Sequence, residues 1–237
     1  MYSDFIKALD ASAPRGLLTD EVRRRLYTHI TELFETGKEM NLTAITDEAG
    51  AAALHCADSL FAAREIGRLA DGREATLIDV GSGGGFPALP IATVLPNVRV
   101  TALDATAKKC ACIEKTAKKC GVGIETLPER AEEAVARYRE TFDFATARAV
   151  ARLNILLELC VPFVKVGGYF VAMKGCAAGE EMREAESAAS RLGVTLEHRA
   201  DYEIEGGGQR SIIIYKKTSS TPKEYPRRYA QIKKKPL

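Results

Sequence analysis

At 237 residues, with 46% apolar and 28% charged side chains, the chain has the size and balance of an ordinary soluble globular protein, enough for one large α/β domain with an extension or for two small domains. No apolar run approaches the ~20 residues that span a bilayer, and the start, MYSDFIKALD, has acidic residues and no basic segment ahead of an apolar one. The sequence therefore gives no membrane span and no secretory signal, and the expected compartment is cytoplasmic.

The net charge of +2 hides an asymmetry, because residues 222–237 hold six cations against one anion and leave residues 1–221 at −3. A basic tail on a mildly acidic body points to a polyanionic partner touched at one place. Cys56, Cys110, Cys112, Cys120, Cys160 and Cys176 fit a reducing compartment. Only Cys110 and Cys112 are close in sequence, and no second pair completes a tetrahedral set, so free thiols and no metal are expected.

Residues 1–70 read as a helical extension packed on the core. Val22, Leu26, Ile30, Leu33 and Phe34 share one helical face, with Thr19 or Asp20 as N-cap and Gly37 as a stop. A polar turn over 38–47 leads to a helix carrying Leu54, Leu60 and Phe61. From 75 onward strands and helices alternate: strands at 75–80, 98–104, 122–127 and 142–149, then a helix whose apolar spacing runs from Leu153 to Val164, with Pro162 placed to end or bend it. A strand at 169–174, a helix at 178–192 and strands at 194–204 and 210–216 close a second region, 71–217, ahead of a basic tail, 218–237. Alternation implies right-handed crossovers and a mostly parallel sheet. The last two strands, joined by the Gly206–Gly208 turn, must pair antiparallel. A seven-stranded parallel sheet with one antiparallel strand is the methyltransferase version of the Rossmann-like, doubly wound fold.

The segment Asp79-Val80-Gly81-Ser82-Gly83-Gly84-Gly85-Phe86-Pro87 follows the first parallel strand, where open α/β sheets bind ligands. Its glycines let the backbone approach a ligand without a Cβ in the way. The helix that starts near Phe86-Pro87 offers free N–H groups to a ligand carboxylate. Glycines at 81, 83 and 85 put Phe86 where a dinucleotide loop needs its last glycine, which argues against a nicotinamide cofactor. Asp104, 23 residues after Gly81, is near the ~20 expected of a carboxylate that holds ribose hydroxyls.

These residues, with others in the same order, resemble the bacterial small-subunit ribosomal RNA methyltransferase G family, also called glucose-inhibited division protein B. The resemblance covers roughly 38–237 and rests on Asn41-Leu42-Thr43-Ala44-Ile45, His55 with Asp58-Ser59-Leu60, the 79–87 loop, and Asp104 with Lys108-Lys109. It continues through Arg130-Ala131-Glu132-Glu133, Arg148-Ala149-Val150, Ala172-Met173-Lys174-Gly175 and the tail from Tyr225 to Leu237. Ala88, Ala105 and Ala230 depart from the usual residues and stay small. The resemblance implies methylation of N7 of a guanosine in the decoding-region loop of 16S rRNA, with S-adenosyl-L-methionine as cofactor and 16S rRNA or the small ribosomal subunit as partner. By similarity, cofactor contacts fall on Gly81, Phe86, Ala131, Glu132 and Arg148, beside Gly83, Gly85 and Asp104 from the loop itself.

Guanine N7 carries a lone pair and no proton, so methyl transfer to it needs in-line positioning and no general base. The segment after the fourth strand has no Asn-Pro-Pro-Tyr-like motif and no Pro-Cys nucleophile, which agrees. Arg148 and Lys174, at the ends of apolar strands, are expected to position the substrate, since a buried cation without a use would cost stability. Lys108 and Arg130 flank the same edge, and Tyr225, Arg227, Arg228, Lys234 and Lys235 combine stacking surfaces with phosphate-binding groups. His55 and Asp58, three apart, are expected to be a structural hydrogen-bonded pair. No unclaimed apolar stripe calls for a second copy, so a monomer is expected. Two other readings stay open: the same fold acting on another RNA, and a non-catalytic RNA-binding assembly factor.

Overall fold

A computed structural model describes residues 2–40 and 42–237, so Asn41, the first residue of the 41–45 block, lies outside the described residues. In chain order come helices α1 (Tyr2–Ser12), α2 (Asp20–Met40) and α3 (Glu48–Ala51), a π-helical turn (Ala52–Ala57) and α4 (Asp58–Ala70). Then follow β1 (Ala75–Val80), α5 (Ala88–Val94), β2 (Val98–Leu103), α6 (Ala107–Cys120), β3 (Glu125–Leu127), α7 (Ala131–Tyr138) and β4 (Phe142–Arg148). The remainder is α8 (Leu153–Cys160), β5 (Val164–Lys174), α9 (Ala178–Glu184), α10 (Glu186–Leu192), β6 (Val194–Ile204), β7 (Gly208–Lys217) and α11 (Tyr229–Lys234).

The strands form one seven-stranded sheet in the order β3-β2-β1-β4-β5-β7-β6. β1 to β5 are parallel, and β7 runs antiparallel to both β5 and β6. The expected fold class is therefore the observed one. Strand order reverses between β1 and β4, which opens a crevice at their C-terminal ends. β5 also ends at that edge and β7 begins there, since Lys174 pairs with Ser211.

Both faces of the sheet are covered, so its strands are apolar on both sides. On β7, Ile213 and Tyr215 pack with α7, α8 and α10 residues, while Ile212 and Ile214 face the α4–α6 side. Phe5, Leu9, Leu26, Ile30 and Leu33 of α1 and α2 form a further cluster with Cys56 and Leu60, and that cluster also takes in Phe86 from the glycine loop.

Local chemistry moved some boundaries. Thr19 caps α2 through its Oγ1, which accepts the Val22 N–H at 3.2 Å, but the helix runs past Gly37 to Met40. Pro162 ends α8: Val161–Phe163 is a single 3-10 turn, and Val164, expected on the helix, opens β5. The 178–192 helix is two helices meeting at Ala185. The third strand is confined to Glu125–Leu127, a sheet edge with three registered pairs.

Candidate active site

The turn after β1 is built by the glycines. Gly81 (φ +79°) and Ser82 both donate backbone N–H bonds to the Leu103 carbonyl, at 2.8 and 3.0 Å, so the loop is tied to the end of β2. A Cβ on Gly81 would lie 2.5 Å from Val150 Cγ2, which leaves no room for any side chain there. Asp104 completes the tie: its Oδ2 accepts the Gly83 N–H at 3.1 Å and its Oδ1 accepts the Thr106 N–H at 2.9 Å. A carboxylate offers about four lone-pair sites, so Asp104 keeps capacity for further donors.

A cavity of about 190 Å³ opens beside this turn, between Gly81, Asp104, Arg130, Ala131, Glu132 and Tyr229. Four expected cofactor residues (Gly81, Asp104, Ala131, Glu132) thus meet at one place. Gly83 and Gly85 shape the loop without lining the cavity, and Lys108 is exposed away from it. Tyr229, which the sequence placed only within the basic tail, is one wall of the cavity. Nothing local in the sequence signals it, because it arrives from α11 across the whole length of the domain.

Phe86 faces the other way. Its ring stacks between His29 (4.1 Å) and His55 (4.8 Å), with the Arg148 guanidinium 5.3 Å from its centroid. His29 Nε2 donates to the Gly84 carbonyl at 2.8 Å, so α2 grips the loop directly. Burial holds both imidazoles neutral, pushing His29 down to about 4 and, with Arg148 close by, His55 down to about 3. Sequence inspection gave His29 no role; its one signal was a polar residue beside the apolar face of α2.

The α5 N-terminus is not free for a ligand carboxylate, which corrects that expectation. The Ala88 N–H donates to Asp79 Oδ2 at 3.3 Å, a carboxyl group already inside the protein. Burial pushes Asp79 up to about 7, and its Oδ1 has no hydrogen-bond partner among the described residues.

A second cavity, about 240 Å³, lies at the ends of β4, β5 and β7, among Asp58, Arg148, Lys174, Glu181 and Arg210. Arg148 and Lys174, expected to position the substrate, each meet a counter-charge here. Arg148 lines this cavity and not the first; its NH1 donates to Asp58 Oδ2 (3.1 Å) and to the Leu54 carbonyl (3.0 Å), and its NH2 approaches His55 Nδ1 at 3.2 Å. His55 and Asp58 do not bond each other; Arg148 joins them. Asp58 Oδ1 accepts the Tyr202 hydroxyl at 2.8 Å, and His55 Nε2 sits 2.7 Å from Thr43 Oγ1. Lys174 donates to the Ala151 carbonyl (2.9 Å) and pairs with Glu181 Oε2 at 2.6 Å. Both cations are largely covered and have counter-charges, as burial requires.

The basic tail divides in the same way. Arg227 donates through Nε and NH2 to Glu158, which is fully buried, and Tyr225 packs against the α8 face of the core. Ile232 of α11 is fully buried too. Arg227 and Tyr225 are therefore contacts of the fold, whereas Arg228, Lys234 and Lys235 are exposed.

A glycine turn bolted to an acidic residue at the end of β2, at the switch point of a 3-2-1-4-5-7-6 sheet, defines a Rossmann-like class I S-adenosylmethionine-dependent methyltransferase. The fold is shared with the Burkholderia thailandensis 1,6-didemethyltoxoflavin-N1-methyltransferase, solved with 1,6-didemethyltoxoflavin and S-adenosylhomocysteine bound (TM-score 0.57, 15% identity, 88% of this chain and 93% of that one). It is shared also with TrmN from Thermus thermophilus (TM-score 0.51, 21% identity, 70% of this chain and 53% of that one). Residues 23–212 match the family described as rRNA small subunit methyltransferase G. Ribosomal RNA small subunit methyltransferase G of Leuconostoc mesenteroides is 39% identical over 99% of this chain and 98% of its own length. The protein of the same name from Halalkalibacterium halodurans is 41% identical over 94% of each. The chain belongs to this methyltransferase family.

Proposed function

We propose that the protein transfers a methyl group from S-adenosylmethionine to N7 of one guanosine in the decoding-region loop of 16S rRNA, acting as a cytoplasmic monomer. The observation that carries this reading is the adjacency of the two cavities. Val150 flanks the first, and Arg148 and Ala149, immediately before it at the end of β4, flank the second. A cofactor in one and a target base in the other would meet across a single turn of backbone.

The residues present fit the cofactor. Asp104 has lone pairs left for ribose hydroxyls, and Leu103, Val150, Leu159 and Tyr229 give an apolar wall for a purine. Asp79 Oδ1 is a buried acceptor that a bound ammonium would satisfy. S-adenosylmethionine supplies a methyl group activated on a cationic sulfur. The chain's own task is then to place the base, exclude water and hold charge in fixed positions; guanine N7 has no proton to remove, and the neutral His29 and His55 are not needed as bases.

In this reading residues 1–70 hold the glycine loop, 71–217 carry both cavities, and 218–237 close the first. Lys108, Arg130, Arg228, Lys234 and Lys235 are exposed cations suited to RNA phosphates. The exposed large apolar side chains, Tyr2, Val166 and Leu196, do not form a patch of one element, in keeping with a monomer. Among the described residues no helix is long and apolar enough to cross a membrane. The test is to incubate the protein with labelled S-adenosylmethionine and undermethylated small subunits, then map label by N7-specific strand cleavage. One labelled guanosine is expected; label on adenine, or only on protein, would refute the assignment.

A further inference from the structure

In the second cavity the charges do not cancel. Arg148 is paired with Asp58 and Lys174 with Glu181, but Arg210, at the start of β7, makes no ion pair or hydrogen bond among the described residues. Its Nε is fully buried and without a partner. A guanidinium has five N–H donors and no acceptor, and leaving a buried one, here Nε, unmet is costly. Nothing in the fold's stability explains Arg210. A ligand does.

The surroundings say which kind. Two carboxylates, Asp58 and Glu181, line the same space, so a phosphate entering there would meet repulsion as well as attraction. Asp58 has both oxygens engaged by Tyr202 and Arg148. Glu181 is different: Oε2 accepts from Lys174 and from the Leu153 N–H (2.8 Å), while Oε1 accepts no hydrogen bond among the described residues. The cavity thus presents a free cationic donor and a free carboxylate acceptor. Guanine offers an O6 acceptor beside N1–H and N2–H donors, the complementary pattern; adenine offers a donor where O6 would be. Met173 and Ala149 supply soft, uncharged walls for the ring.

We infer that Arg210 reads O6 of the target guanine and so selects guanine over adenine in this cavity. This rests on the methyl-transfer reading proposed above. With the base held by that edge, N7 is left uncovered by the protein's polar groups.

The test pairs a protein change with a base change. Small subunits would be reconstituted with 16S rRNA carrying guanine, 2-aminopurine (no O6) or hypoxanthine (O6 kept, amine lost) at the target, and N7 methylation measured with wild type, Arg210→Met and Arg210→Lys. Arg210→Met is expected to lower kcat/KM on guanine about 10- to 100-fold, the worth of one guanidinium–O6 contact, with thermal stability and S-adenosylmethionine affinity unchanged. 2-Aminopurine lacks the N1–H as well as O6, so wild type should lose at least that factor on it, and Arg210→Met should cost nothing further there. Arg210→Lys should recover part of the rate, and hypoxanthine should retain the Arg210 dependence. Losses that multiply, or a fall in the salt dependence of RNA affinity by about one charge, would place Arg210 on a phosphate and overturn the inference; so would an Arg210→Met enzyme with full activity. If wild type leaves every guanosine N7 unmethylated, it is the functional reading that fails, and this one with it.

Discussion

The two cavities at the C-terminal edge of the sheet are made in different ways. The first is a backbone object: a turn with no room for a side chain at Gly81, closed by N–H bonds to Leu103 and Asp104 that lie within about one βαβ unit of it. The second is a side-chain object, with Asp58 from α4, Arg148 from β4, Lys174 from β5, Glu181 from α9 and Arg210 from β7. In the first, function needs the space that glycines leave. In the second it needs the one charge left over after ion pairs have formed. Changes to the first should therefore act through strain, and changes to the second through uncompensated charge.

Arg148→Met gives the largest expected effect. It strands Asp58, whose side chain is 4% exposed, and breaking a buried pair costs about 3–5 kcal/mol. Urea denaturation should show most of that loss, and adding Asp58→Asn should recover a large part of it. A fully stable Arg148→Met protein with lost activity would mean that Arg148 is free for substrate after all, and the contrast between the cavities would collapse.

Gly81→Ala comes next. A left-handed alanine costs roughly 1–2 kcal/mol and a forced methyl group about 1–3 kcal/mol more, so S-adenosylmethionine binding measured by calorimetry should weaken at least about tenfold. Gly83 sharpens the point: its φ is +55°, but a Cβ there would meet only the Gly81 carbonyl at 3.9 Å. Gly83→Ala should show the strain without the clash and lose about 1–2 kcal/mol. Equal effects at both positions would show that space is not what the loop protects.

How much of this could be seen in the sequence follows from the same contrast. The glycine turn was legible because its parts are consecutive or one strand away, and glycine spacing is itself the geometry. The sheet was legible because alternating apolar runs and short turns leave few topologies. Arg148 and Lys174 were found, but their ion pairs were not: Asp58 is 90 residues from Arg148, and Glu181, though it follows Lys174 closely, sits on a separate helix, α9. Arg210 reads as an ordinary strand-end charge until its lack of a partner is visible. His29 was missed because a single buried histidine on an amphipathic helix has no periodic signature; what defines it is the Gly84 carbonyl 55 residues away.

The His29–Phe86–His55 stack ties α2 to the glycine loop and, through His55, to Arg148, and it makes stability depend on pH. Both histidines fall from an ordinary value of 6.5, to about 4 and about 3. Below pH 6.5 the unfolded chain binds protons that the native state refuses, so stability falls as pH drops toward 4. Each group contributes a slope of about 1.4 kcal/mol per pH unit in that window. Asp79, raised to about 7, acts with the opposite sign over the same window and offsets about one histidine. The urea midpoint should therefore decline between about pH 6.5 and 5 with a net slope near that of a single histidine, and His29→Gln should remove most of the decline. A profile unchanged by His29→Gln would detach α2 from the loop's energetics.

The smallest effect separates the tail's two kinds of cation. Removing residues 222–237 outright would be a poor test of RNA binding, because it also strips Arg227 from buried Glu158 and Ile232 from the core. Arg228→Ala, Lys234→Ala and Lys235→Ala together touch only exposed charges, so stability should stay within about 0.5 kcal/mol. If these cations meet RNA phosphates, the slope of log affinity against log salt should shrink by about 0.7–0.9 for each phosphate left without its cation. Arg227→Met should do the reverse, lowering stability by about 3 kcal/mol as Glu158 is left unpaired, with the salt slope nearly unchanged. The exposed cations would then be the only part of the tail that acts on RNA, while Arg227 keeps Tyr229 against the cofactor cavity. An unchanged salt slope in the triple variant would leave the tail wholly to the fold and move RNA binding to the exposed Lys108 and Arg130, at the starts of α6 and α7.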